Sequence, residues 1–161
     1  MRSLLDTNIL SDLVRNPQGR IAARIAEVGE DAICTSVIVA AELRFGAAKK
    51  GSERLTTQLE MVLGALDILQ FEAPADRAYG ELRARLEAAG TPIGGNDMLI
   101  AAHAISLGHV LITDNEREFG RVSGLTLVNS LRLSPFARRT TLKPPAPRRR
   151  RRGRSSGPGS R

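Results

Sequence analysis

Five short aliphatic runs recur along the chain with helical spans between them, and this alternation constrains the fold more than any other feature. The runs are Leu4-Leu5, Ala32 to Thr35, Ile68 to Phe71, Val110 to Thr113 and Leu125 to Val128. Each is too short for a buried helix and is bounded by polar or turn-forming residues, so each reads as a strand. Between them lie segments with helical apolar spacing: Ile9, Leu10 and Leu13; Ile21, Ile25 and Val28; Leu55, Leu59, Val62 and Leu66; Tyr79, Leu82 and Leu86. Strands separated by helices in this way predict an α/β domain, a short and mostly parallel central sheet flanked by helices on both faces.

Helix boundaries follow from capping chemistry. Asn16-Pro17 reads as a cap with a first-turn proline opening the second helix. Ser36 and Ser52 cap the next two, and Gly90 to Asn96 is a glycine-rich turn leading into a nearly all-apolar helix from Asp97 to Leu107. The run Val37 to Leu43 is apolar apart from Glu42, so its neighbours are expected to face the core on nearly all sides.

Of 161 residues, 42% are hydrophobic, enough for one ordinary core. The single Cys34 cannot pair within the chain, no apolar run nears about eighteen residues, and no charged-then-apolar leader opens the sequence. These features predict a cytoplasmic protein with no membrane association. The net charge of +7 is localised: from Arg138 to Arg161 there are ten cations and no acid, whereas positions 1–137 carry 14 basic against 17 acidic residues. Residues 1–135 therefore form the expected folded domain. Residues 136–161, with Lys143-Pro-Pro-Ala-Pro147 and the run Arg148, Arg149, Arg150, Arg151 and Arg152, form an expected disordered basic tail. Ten cations without interleaved aromatics suit non-specific, salt-dependent attraction to RNA, while a solvated extension is the simpler alternative.

Chemistry points to the acids. Asp6 ends the first strand and enters Asp-Thr-Asn, a sequence that is either a helix cap or one side of a site at the sheet rim. Glu42 interrupts an apolar helix, where a carboxylate costs several kcal/mol unless it is bound or paired, Arg44 being the obvious local partner. Asp97 begins the apolar helix, where an acid also complements the helix dipole. Asp114 and Glu118 follow the fourth strand and flank Asn115. Two carboxylates about 5 Å apart repel by roughly 3 kcal/mol at an effective dielectric near 20, so a cluster of them calls for a cation. Oxygen donors without a Cys or His cluster favour Mg²⁺ or Mn²⁺ over zinc. His103 and His109 read as packing or surface residues rather than an acid–base pair, and Cys34 reads as core.

Four ordered motifs carry a resemblance: Leu5-Asp-Thr-Asn-Ile-Leu10; Ser36-Val-Ile-Val-Ala-Ala-Glu-Leu-Arg-Phe-Gly46; Asp97 with Ile100-Ala-Ala-His-Ala104; and Thr113-Asp-Asn-Glu-Arg-Glu-Phe119 with Gly124-Leu125. Over about positions 2 to 130 the chain resembles the PIN-domain ribonucleases, and most closely the VapC-type toxins of bacterial toxin–antitoxin pairs. The resemblance implies an endoribonuclease hydrolysing RNA with a divalent metal, held by Asp6 and Asp97 with Glu42 beside them. It implies Thr7 and Thr113 as polar supports, with Asn115 adjoining, and Thr7 as the residue that orients what Asp6 holds. Many relatives carry Asn where this chain has Asp114 and place the fourth acid at Glu118, so both remain candidates. A homodimer and a cognate antitoxin protein are also implied. Two other classes compete: a catalytically inactive RNA-binding protein, and a Mg²⁺-binding phospho-acceptor receiver domain, which usually supplies a late-strand Lys that this sequence lacks near Val110 to Thr113.

Overall fold

The computed structural model describes residues 2–130. The basic run Arg148 to Arg152 and the expected boundary between residues 135 and 136 lie outside the described residues.

The expected alternation is realised. In chain order the elements are β1 (Ser3–Leu5), α1 (Thr7–Arg15), α2 (Arg20–Val28), β2 (Ile33–Ser36), α3 (Val37–Lys50), α4 (Glu53–Gly64), β3 (Ile68–Leu69), α5 (Ala75–Ala88), α6 (Gly95–Ser106), β4 (Val110–Ile112), α7 (Glu116–Phe119) and β5 (Thr126–Val128). The five strands make one sheet in the order β3-β2-β1-β4-β5, every pairing parallel. Strands β2 and β4 are buried throughout, which explains the unbroken apolar run of β4; in β2 the buried Thr35 hydroxyl donates to the Leu5 carbonyl.

The strand order places the site. The chain winds from β1 outward through β2 to β3, then returns to lay β4 on the other side of β1. The crevice at the carboxyl ends of β1 and β4 is therefore the switch point where ligands bind in open parallel sheets. Leu5 pairs with Ile112 in register, so the residues that follow them, Asp6 and Thr113, emerge side by side.

Helix starts follow local chemistry with one exception. The Ser36 hydroxyl accepts the Ile38 N–H at 3.1 Å and the Ser52 hydroxyl accepts the Leu55 N–H at 3.3 Å, as their positions predict. Asn16-Pro17 does not open α2. Residues 16–19 form a turn in which the Gly19 N–H donates to the Asn16 carbonyl at 2.8 Å, and Gly19 takes the cap position. A Cβ on Gly19 would stand 2.9 Å from that carbonyl, so only glycine closes the turn. The glycine, not the asparagine, decides where α2 begins.

The expectation of near-complete burial for Val37 to Leu43 is also corrected: Val39 and Ala40 are buried, but Val37 is 39% exposed and Ala41 is exposed, on the same face as Phe45 one turn further on. In contrast, α6 buries Met98 and Ile100 to Ala104 and is covered on most sides.

Candidate metal-binding active site

Asp6 occupies the cap position of α1, yet its side chain makes no capping bond. It turns instead to β4, where the Thr113 hydroxyl donates to Asp6 Oδ2 at 2.6 Å. Thr113 is fully buried and accepts two further bonds, from Asn8 Nδ2 at 3.2 Å and from the Asn115 N–H at 3.0 Å. With its acceptors filled, the hydroxyl has its proton free to point at Asp6. The other oxygen, Asp6 Oδ1, is buried with no hydrogen-bond partner. Burial raises the Asp6 pKa, and the charges of Glu42 and Asp114 add to the rise, against the lowering effect of Thr113.

Glu42 reaches the same rim from α3. Thr7 donates to Glu42 Oε2, and Asn96 Nδ2 donates to Oε1 at 2.8 Å. Thr7 therefore orients Glu42 through its hydroxyl, while its backbone N–H hydrogen-bonds Asp6 and lowers that carboxyl's pKa. The side-chain support of Asp6 falls to Thr113. Arg44 does not pair with Glu42; two positions further along α3 it faces elsewhere and forms a two-bond pair with Glu60 of α4, at 2.8 and 2.9 Å.

Asp97 lies in the first turn of α6 and accepts from Asn115 Nδ2 at 3.4 Å. Its pKa is pushed up to about 6, first by burial and then by the charges of Asp6, Glu118 and Glu42. Glu118 accepts the Gly94 N–H at 3.0 Å and also shares a hydrogen bond with Asp97. Asp114 is exposed, and its carboxylate accepts from Ser130. The structure thus brings Asp6, Glu42, Asp97 and Glu118 to one crevice, with Asp114 at its edge.

Asn96 and Asn8 are functional neighbours that sequence reasoning did not select. Asn96 stood only for the end of a glycine-rich turn, and no local pattern showed that its amide meets Glu42, 54 residues away. The histidines lie apart: His103 is buried beside Ser36, and His109 is partly buried at the start of β4. Cys34 is fully buried, and burial pushes its thiol up to about 11, so it is core.

A divalent cation fits this arrangement on two observations: the buried Asp6 Oδ1 has no hydrogen-bond partner, and burial, with the charges of Asp6, Glu118 and Glu42 added, lifts the Asp97 pKa to about 6. Among the described residues no three Asp, Glu, His or Cys side chains converge closely enough to hold a metal ion by themselves.

These features define a class. The profile of the PIN domain matches residues 3–125. Ribonuclease VapC2 of Rickettsia felis is 39% identical over 128 residues, covering 78% of this chain and 96% of the relative. The tRNA(fMet)-specific endonuclease VapC of Shigella flexneri is 35% identical over 126 residues, covering 78% of this chain and 95% of that protein. In three dimensions the chain is similar to the crystal structure of VapBC2 from Rickettsia felis bound to a promoter DNA fragment, with a TM-score of 0.75 and 38% identity, over 80% of this chain and 98% of that one. The chain belongs to the PIN-domain family, in the branch of the VapC ribonucleases.

Proposed function

We propose that this protein is a metal-dependent endoribonuclease that hydrolyses RNA phosphodiester bonds as the toxin of a type II toxin–antitoxin pair. The observation that carries the reading is the buried, partnerless Asp6 Oδ1 among acids that raise one another's pKa. Relatives named as ribonuclease and as tRNA endonuclease support it. Metal dependence is general among PIN-domain VapC nucleases, and the all-oxygen donor set supports Mg²⁺ as the metal, with Mn²⁺ the alternative. Asp6 and Asp97 are assigned to hold it, with Glu42 and a fourth acid flanking. A divalent ion so placed lowers the pKa of an attacking water and neutralises charge on the transferring phosphate.

The protein groups set the stage for that chemistry. Thr113 holds one oxygen of Asp6, leaving the other free. Thr7 and Asn96 fix both oxygens of Glu42, and Asn115 steadies Asp97. The test is incubation of a mixed RNA pool, transfer RNA included, with the protein plus Mg²⁺ or with EDTA. Cleavage leaving 5′-phosphate and 3′-hydroxyl ends only with the metal supports the enzyme; binding without cleavage favours the inactive RNA-binding reading.

Glu118, and not Asp114, is assigned as the fourth acid. It shares a hydrogen bond with Asp97, whereas Asp114 is exposed and engaged by Ser130. Glu118→Gln is expected to lower the cleavage rate about tenfold to a hundredfold, and Asp114→Asn by less than about threefold. Equal losses in a side-by-side rate assay would remove the distinction.

The solved relatives are toxin–antitoxin complexes, which supports a cognate antitoxin as partner. A cleft of about 1000 Å³ lies between α2 and the sheet, lined by Ile21, Ile25, Val28, Ile33 and Ile112, with Asp114 at one edge. An antitoxin segment laid there would end beside Asp114, at the edge of the acidic crevice, and the active species is assigned as a homodimer. No helix among the described residues is long and apolar enough to cross a membrane, and with RNA as the proposed substrate the protein is assigned to the cytoplasm.

The arginine tail is assigned a non-specific role in RNA affinity. Deleting residues after Pro135 is expected to weaken RNA binding at low salt and to flatten the dependence of log K on log salt. Identical binding curves for the full and shortened chains across all salt concentrations would leave the tail without this role.

A further inference from the structure

One buried titratable group takes no part in the site described above. His103 is 1% exposed in the middle of α6, a helix otherwise buried through small aliphatic residues. Its Nδ1 lies 2.9 Å from Ser36 Oγ, its ring also hydrogen-bonds the backbone of Gln70, and the Phe71 ring meets it edge-on at 5.4 Å between centroids.

The hydrogen-bond roles can be assigned by elimination. The interaction with Gln70 favours the protonated ring, so a carbonyl accepts there and the ring nitrogen facing it carries hydrogen. In the neutral imidazole the other nitrogen, Nδ1, then accepts, and the Ser36 hydroxyl donates to it. Ser36 Oγ at the same time accepts the Ile38 N–H that opens α3. The result is one directed chain: Ile38 N–H to Ser36 Oγ, Ser36 O–H to His103 Nδ1, and His103 to Gln70. Burial holds the imidazole below its usual range, in the neutral form that this chain requires.

Position along the helices gives the chain its meaning. Two polar links tie α6 to the β2–α3 segment: Asn96 to Glu42 of α3 at the rim, and His103 to Ser36, the last residue of β2 and the cap of α3, in the interior. Seven residues separate the contacts on α6 and six on α3, about 10 Å and about 9 Å of helix rise. The links run in opposite senses, so the segments are antiparallel and the two links are rungs at matched spacing. Between the two links the small residues Ala40 on α3 and Ala101 on α6 are fully buried.

We propose that His103 is a positioning residue for the acidic site: its buried link to Ser36 sets the register of α3 against α6, and so holds Glu42 in place beside Asp97. The inference rests on the nuclease reading only for its catalytic consequence, since the register itself is a structural quantity.

The experiment compares wild type, His103→Ala, His103→Asn and the core control Leu82→Ala, each with Mg²⁺ and well below its own melting temperature. His103→Ala is expected to lower kcat for RNA cleavage about tenfold to a hundredfold with KM nearly unchanged. His103→Asn, whose side-chain oxygen can accept from Ser36, is expected to recover most of that loss. Leu82→Ala, destabilised by a cavity on α5, keeps kcat. The Asn96 side-chain amide resonances and the Glu42 carboxyl resonance, read by NMR on the same proteins without RNA, should shift in His103→Ala and stay in Leu82→Ala. A kcat loss no greater than in Leu82→Ala, or no recovery in His103→Asn, overturns the proposal. If wild type cleaves no RNA, the nuclease reading fails, and the NMR shifts alone decide the register: unmoved resonances overturn it, moved ones sustain it.

Discussion

Asp6→Asn is expected to abolish RNA cleavage, a loss of about a thousandfold or more, with the fold retained. The size follows from what the carboxylate does. Metal stabilisation of a transferring phosphate contributes several kcal/mol, and each 1.36 kcal/mol corresponds to about tenfold in rate. Asp6 is the innermost acid, 3% exposed, with one oxygen pinned by Thr113 and the other available to a cation. Asparagine keeps the shape and still accepts the Thr113 hydroxyl, and it removes a buried charge, so the net change in stability is within about 1 kcal/mol. Initial rates and thermal melting measured on the same preparation check both halves. Cleavage that persists in the variant and resists EDTA would sink the metal mechanism.

The second large effect is on stability and has the opposite sign from most active-site substitutions. Asp97→Asn is expected to stop cleavage while raising the melting temperature of the metal-free protein by a few degrees. The Asp97 pKa rises from its ordinary 3.8 to about 6, chiefly through burial and then through Asp6, Glu118 and Glu42. Between those two values the folded state holds more protons than the unfolded one, so this group's contribution to stability falls as pH climbs through the window and stays lowered above it. At neutral pH the penalty is about 1 kcal/mol once solvent screening is allowed for, equivalent to a few degrees.

A cation reverses the sign. Saturating Mn²⁺ at about a hundred times its Kd should stabilise wild type by about 2.7 kcal/mol, with a much smaller shift in Asp97→Asn. Below pH 6 the shift in wild type should shrink, because the ion must displace the proton. His103 and His109 work the other way: their lowered pKa values give stability above their ordinary value, near 6.5, that is lost as pH falls below it. The difference between wild type and variant cancels them, and is the quantity to plot. An equal Mn²⁺ shift in both proteins would show that Asp97 does not hold the metal.

The acids, the strand alternation and the two serine caps were legible because each depends on residues close together in sequence. Asp6 after Leu4-Leu5 and Asp114 after Val110 to Thr113 announce strand ends, and a carboxylate within the apolar stretch around Glu42 announces a bound or paired group. Register was less legible where a turn had its own logic. At residues 16–19 the close approach of Gly19 to the Asn16 carbonyl overrode a good cap and a good first-turn proline. The exposure of Val37 and Ala41 departs from the expectation for Val37 to Leu43, because apolar content alone does not say which face of a helix has a neighbour.

The sequence by itself determined which chemistry is possible here: oxygen ligands without a thiol or histidine cluster, four motifs in a family's order, and a parallel α/β scaffold to carry them. Tertiary structure decided which side chain serves which. Laying β4 beside β1 put Thr113 against Asp6, 107 residues apart, and packing α3 along α6 gave Glu42 to Thr7 and Asn96. The physical reason is that a hydrogen bond depends on a few tenths of an ångström and on direction. Those are set by how elements pack, whereas residue type and local periodicity specify only what each element is and which groups it can offer.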